Sequence, residues 1–204
     1  MASNKLYSGL YKLLSGFFRR VYRVRLDGAE NEPENGPFIV CVNHLSIQDV
    51  FITACCMKHQ LRFLAKAELF KIPILRGLIT ALGAIPVERG KGDVGAIKRS
   101  VSLLQSGEVV AIYPQGHRYP GIDPSETEPK GGVGLVVSRA KVKVLPVCIQ
   151  SKDFKLRPFR KTYVTFGKPI EFEQLGMTET GKSEYDRVSR QIFGEICAMV
   201  RKDI

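Results

Sequence analysis

No uncharged apolar run in this chain reaches the roughly 18 residues that a membrane-spanning helix needs. The best candidate, IPILRGLITALGAIPV from Ile72, carries Arg76 and two prolines. A bilayer span is therefore not expected, but contact with a bilayer surface stays open. The three histidines are scattered and the carboxylates do not cluster, so no metal ligand set is expected. A GxSxG nucleophile elbow and a GxxxxGK(S/T) phosphate loop are both missing. The five cysteines, Cys41, Cys55, Cys56, Cys148 and Cys197, contain no CxxC pair. Without a recognisable signal peptide, they read as reduced, mostly buried thiols of a cytosolic protein. A strained disulfide between vicinal Cys55 and Cys56 has no support in the pattern.

Acid is absent before Asp27. Over the whole chain, 31 Lys and Arg face 20 Asp and Glu, a formal net charge of +11. That balance favours an acidic partner, whether nucleic acid, an anionic membrane surface or an acidic protein. An RNP-like aromatic pattern, zinc-finger spacing and a recognisable reading helix are lacking, so nucleic acid is the weakest of these. With 204 residues, 44% of them hydrophobic, the chain suits one domain with a sizeable core.

Residues 4–24 read NKLYSGLYKLLSGFFRRVYRV. On a helix, Leu6, Leu10, Leu13, Leu14, Phe17, Phe18, Val21 and Val24 share one side. Lys5, Lys12, Arg19 and Arg23 fall opposite. Leucine and aromatics against basic residues is the pattern of a helix lying in a membrane interface. An amphipathic helix packed on its own domain has a similar pattern. The expected organisation is a membrane-associating helix over 1–24 and a single domain over 25–204.

Downstream, short continuous apolar runs alternate with helical patterns. Strands are expected at the end of 21–28 and at 38–42, 61–66, 108–116, 142–149 and 162–170, and a short strand or extended turn at 84–89. Helices are expected at 46–58, 68–82 with a break near Pro73, 93–107, up to about 140, and 182–202. Residues 118–132, rich in proline and acid, read as a loop. This alternation predicts an α/β domain.

Within it, VNHLSIQDV (42–50) sets His44 just past an apolar strand and Asp49 five positions later. The carboxyl edge of a strand is where open α/β sheets place ligands. Ser46 is a good N-cap for the next helix, which makes Asp49 its N3 residue and a capping-box partner. The same geometry lets Asp49 orient an imidazole whose other nitrogen accepts a substrate proton. Three further segments follow: GAIPVER (83–89), YPQGHR (113–118) and VLPV (144–147).

In order and rough spacing, these four segments resemble the motifs of the 1-acylglycerol-3-phosphate acyltransferase family of glycerolipid acyltransferases. That family reads NHxxxxD, an apolar stretch ending in Arg, FPEGTR, and an apolar-Pro-apolar strand. The likeness covers roughly residues 36–170. It implies a mixed sheet flanked by helices. It also implies that His44 is a general base oriented by Asp49, with no covalent acyl-enzyme. Arg89 would bind the acceptor phosphate with its guanidinium fork. Gly116 and Arg118 match the third motif, and Lys66 resembles a family lysine near the reacting centre. Pro146 would shape the strand beside the acyl site.

Two departures stand out. Gln115 replaces the family glutamate and His117 the threonine. Gln115 keeps hydrogen bonding without the charge, and His117 adds a donor for an anionic head group. The implied reaction moves an acyl chain from acyl carrier protein or coenzyme A to the sn-2 hydroxyl of 1-acylglycerol-3-phosphate. No cofactor or metal is implied beyond that thioester cosubstrate. The expected partners are an anionic membrane surface, a lysophospholipid acceptor and an acidic carrier protein, on the cytoplasmic face of a membrane. A different lysophospholipid acceptor, or an inactive basic protein that binds membrane or nucleic acid, are the alternatives.

Overall fold

The computed structural model describes residues 15–81, 83–87 and 94–204. The described residues open with a helical segment, α1, over 15–21, and continue into strand β1, Val24–Asp27. Then follow β2 (Ile39–Val42), α2 (Gln48–Cys56), β3 (Leu61–Lys66), α3 (Pro73–Ala81) and β4 (Ala84–Val87). After these come α4 (Val94–Gln105), β5 (Val109–Ile112), α5 (Gly132–Ala140), β6 (Val144–Gln150), β7 (Thr162–Phe166) and α6 (Lys182–Ala198).

The strands form one seven-stranded sheet in the order β1-β7-β6-β2-β5-β3-β4. All neighbours run parallel except β6 and β7, so the sheet is mixed, as expected. Alternation along the central strands fills both faces. Val40 and Val42 of β2 point into one core, with Phe38, Ile52, Leu61 and Leu145. Ile39 and Cys41 point into the other, with Leu104, Val136, Val188 and Ile192 from α4, α5 and α6. Burial on both faces explains why these strands read as continuous apolar runs.

Element boundaries moved where local chemistry intervened. α3 begins at Pro73, the first helical position, where a missing N–H costs nothing; a separate 3-10 turn, Ala67–Lys71, precedes it. α2 begins at Gln48, two residues after Ser46. Ile47 takes the N-cap position expected of Ser46, whose Oγ accepts the Gln48 N–H at 3.1 Å from one residue earlier. Past the end of α2, the buried Glu32 carboxylate accepts the Lys58 and His59 N–H groups. β7 ends at Phe166 rather than at 170; Gly167 lies close beside the ring of Pro146, and Ile170 makes only an isolated antiparallel bridge to Val144.

Of the expected N-terminal helix, Leu6, Leu10, Leu13, Leu14, Lys5 and Lys12 lie outside the described residues. The described part splits its apolar side chains. Phe18 stacks on Tyr22 and on Phe51 of α2, whereas Phe17 is 59% exposed.

Candidate active site

β2 ends inside the molecule, and its last bonds are made by a side chain. Asn43 donates from Nδ2 to the Ile149 carbonyl (2.9 Å) and accepts the Ile149 N–H at Oδ1 (2.7 Å). This clasp ties the end of β2 to β6 and leaves His44 at the carboxyl edge of the sheet.

His44 is then held from four directions. Its N–H donates to Gln115 Oε1 at 2.6 Å, and its carbonyl accepts the Tyr119 N–H at 2.8 Å. Its Nδ1 meets Asp49 Oδ2 at 3.1 Å. Its ring stacks on Tyr113, centroids 4.2 Å apart. Asp49 Oδ2 also accepts the N–H groups of Leu45 (2.6 Å) and Ser46 (3.0 Å). Asp49 therefore closes the helix start and orients the imidazole with one oxygen, and the two sequence readings describe one object. It does so from the second helical position rather than the third. Backbone N–H groups and the positive end of α2 stabilise Oδ2 of a carboxylate that is 0% exposed, while Oδ1 is buried without a hydrogen-bond partner.

With Nδ1–H committed to a carboxylate, the neutral imidazole presents Nε2 as its acceptor. His44, 17% exposed, lines a cavity of about 340 Å³ that passes over the ends of β3 and β5. α2 forms one wall with Val50 and Phe51, and α4 and α5 form another with Ala96, Ile97 and Val136. Leu75 and Ile79 of α3 extend the apolar lining. The mouth is polar: His117 and Lys130 line it with Gly116, and Lys130 Nζ lies 3.1 Å from His117 Nε2. Lys130 is two residues before α5, whose first residue, Gly132, also lines the cavity. A cation beside a helix N-terminus suits an anionic group. Burial, aided by the Asp49 carboxylate, pushes the Tyr113 hydroxyl well above its ordinary value, so it stays protonated.

The sequence-derived residues separate in space. His44, Gly116 and His117 line the cavity, with Asp49 directly behind His44. Gly116 has φ +68°, and a Cβ there would meet the Lys130 side chain at 3.0 Å. Gln115, read as a substrate contact, is 0% exposed and engaged at both ends of its amide. Its Nε2 donates to Thr127 Oγ1 at 2.7 Å, and that hydroxyl donates to the Pro124 carbonyl at 2.7 Å. It thus pins the 118–132 loop under the His44 backbone. Lys66 and Arg118 are exposed and outside the cavity wall, which passes through Ala65 and His117 instead. Pro146 is buried in β6 and is not part of that wall. Arg89 lies outside the described residues. Asn43, Tyr113 and Lys130 escaped the sequence reading. Asn43 and Tyr113 stood inside quoted motifs, and Lys130 before the GG pair at the start of α5 was the only other signal.

A family model described as acyltransferase matches residues 23–150. The chain belongs to the acyltransferase family. The matched span contains the His44–Asp49 pair, the cavity mouth and β1 to β6. Among relatives, 1-acyl-sn-glycerol-3-phosphate acyltransferase of Bacillus subtilis is 28% identical over 151 residues, covering 72% of this chain and 73% of that protein. The protein of the same name from Streptococcus pneumoniae is 31% identical over 155 residues, covering 73% and 55%. A chloroplastic enzyme of that name from Arabidopsis thaliana is 28% identical over 131 residues, covering 63% and 36%. The matched region thus spans only about a third of the chloroplastic relative and about half of the streptococcal one. The crystal structure of the 1-acyl-sn-glycerophosphate acyltransferase from Thermotoga maritima superposes with a TM-score of 0.72 at 22% identity. It covers 99% of this chain and 85% of its own, so this acyltransferase-family chain shares that fold along nearly its whole length.

Proposed function

We propose that the protein transfers an acyl chain from a thioester to the free sn-2 hydroxyl of 1-acylglycerol-3-phosphate, giving phosphatidic acid. The observation that carries this is the His44–Asp49 pair at the polar mouth of an apolar cavity. His44 Nε2 takes the proton of the acceptor hydroxyl as its oxygen bonds to the thioester carbonyl carbon. The carbon–sulfur bond then breaks, and the departing thiolate recovers the proton from His44. Asp49 keeps the tautomer and stabilises the transient imidazolium. The acyl chain lies between α2, α3 and α4. The acceptor phosphate sits at the mouth, near His117 and near Lys130 just before α5; Arg89, by its motif alone, is a further candidate phosphate ligand. The names of the bacterial and chloroplastic relatives support this acceptor. The donor is an acyl thioester of acyl carrier protein or coenzyme A, and the reaction runs on an anionic membrane surface at its cytoplasmic face.

The test is acyl transfer by purified protein with anionic liposomes, offering lysophosphatidic acid and lysophosphatidylglycerol with both donors. Turnover of lysophosphatidic acid should fall about 10²–10⁴-fold in His44→Ala. Transfer to lysophosphatidylglycerol alone would reassign the acceptor, and full turnover in His44→Ala would remove the general base.

A further inference from the structure

Several segments converge on one edge of the sheet. β2 and β6 run parallel, so His44 after β2 and residues 151–161 after β6 leave at the same edge. β7 is antiparallel to β6, with Gln150 opposite Tyr163, and β1 is parallel to β7, with Val24 opposite Thr162. The end of α1 therefore enters at this edge too. Direct bonds join these pieces. Phe159 N–H donates to the Val21 carbonyl at 2.6 Å, and Gly121 N–H donates to the Phe154 carbonyl at 2.9 Å. Tyr119, in the same loop as Gly121, bonds to the His44 carbonyl.

This edge holds most of the charge. Residues 15–25 and 151–161 contain nine Lys or Arg and one acid, eight of the chain's net eleven positive charges. All nine basic residues are exposed. Among the described residues, only Arg157 of the 151–161 set has an ion pair, with Asp153. In their midst Phe159 is 73% exposed. Its φ of +64° is a left-handed conformation that bulky residues rarely adopt. The rest of the loop is anchored: Leu156 is buried in the core and Phe154 packs against it. Phe17, the exposed aromatic of α1, belongs to the same edge.

We propose that the 151–161 connection is a membrane-contact element alongside α1, inserting Phe159 among lipid head groups while Arg160 and Lys161 meet anionic ones. An acidic carrier protein would satisfy the charge, but it gives no reason to hold a bare phenyl ring outward on an anchored loop. Aromatic rings among basic residues fit a bilayer interface. The membrane would then lie against the edge that carries His44. This extends the proposed function's membrane setting, but binding is read here without turnover.

The chain has no tryptophan, so Phe159→Trp introduces a lone indole, which can be excited selectively over the seven tyrosines. Glu34→Trp, exposed in the 28–38 connection at the opposite edge, is the control. With phosphatidylcholine vesicles containing phosphatidylglycerol, the residue-159 probe should shift to the blue and be quenched by brominated acyl chains. The residue-34 probe should do neither. Arg160→Gln with Lys161→Gln should weaken binding to these vesicles about 30-fold, at roughly fivefold per charge, with thermal unfolding unchanged. An unquenched residue-159 probe on vesicles that bind the protein would overturn the proposal. So would a double variant that binds vesicles normally but loses affinity for acyl carrier protein. Either result accompanied by normal acyl transfer in detergent would leave the catalytic reading standing.

Discussion

Lys130 and Gln115 lie on either side of Gly116 in space and do opposite work. Lys130 is exposed at the mouth with its ammonium beside His117, where the proposed acceptor phosphate would sit. Replacing Lys130 with Ala should raise the KM for a phosphate-bearing acceptor about 10- to 100-fold, the worth of a hydrogen bond to a charged group. Its kcat should change far less, as steady-state kinetics with saturating donor would show. Gln115 never meets solvent. Gln115→Leu would leave the His44 N–H without its acceptor, at a cost of about 1–3 kcal/mol, measurable by denaturant unfolding. Turnover should fall as well, because the His44 backbone loses its tie to the 118–132 loop. Gln115 also shows how a glutamate site tolerates an amide. The Oε1 acceptor is retained, and Thr127 becomes an acceptor from Nε2 while its own proton goes to Pro124.

At the scale of elements, the cavity is a gap between helices on opposite faces of the sheet. α2 covers one face and α4 and α5 the other, and the gap opens where β5 stops at Ile112. Ala96 is a small residue on the α4 wall. Ala96→Phe should narrow the cavity at that wall and shift preference toward shorter acyl chains. Each excluded methylene forfeits about 0.8 kcal/mol, close to fourfold in relative kcat/KM. A series of acyl donors of graded length would display the shift, and an unchanged profile would place the chain elsewhere.

For the molecule as a whole, the five thiols report on the core. Burial pushes Cys55 up to about 11, and Cys56 and Cys148 to about 12, from an ordinary value of 9.0. Cys197 rises to about 11 by burial, and Cys41 is pushed still higher by burial. Well below pH 9 the thiols are protonated in both folded and unfolded chains, and stability is unaffected. Above it, the unfolded chain releases protons that the folded chain retains. Stability should therefore fall as pH rises from about 9 through 12. Denaturant midpoints across that range would show it, and alkylation of the native protein at neutral pH should be slow.

Much of this protein was legible in its sequence because the relevant signals are local. FIVCV reads as a strand since a parallel strand buried on both faces needs no alternation, and β2 lies there; LRFLAK, where β3 lies, alternates buried Leu61 and Phe63 with half-buried neighbours. His44 and Asp49 are joined through five residues and a helix start, so a spacing was enough to pair them. Contacts made across the sheet had no such trace. Gln115 reaches His44 across 71 positions, and Asn43 reaches Ile149 across 106, only because β2 lies between β5 and β6. The antiparallel entry of β7 brings 151–161 to the edge of His44, and no motif marks it. Residue types and short spacings determined the elements, the family and the imidazole–carboxylate pair. Strand order, a property of hydrogen bonding between distant segments, decided which side chains line the cavity, which brace it from beneath, and which edge gathers the positive charge.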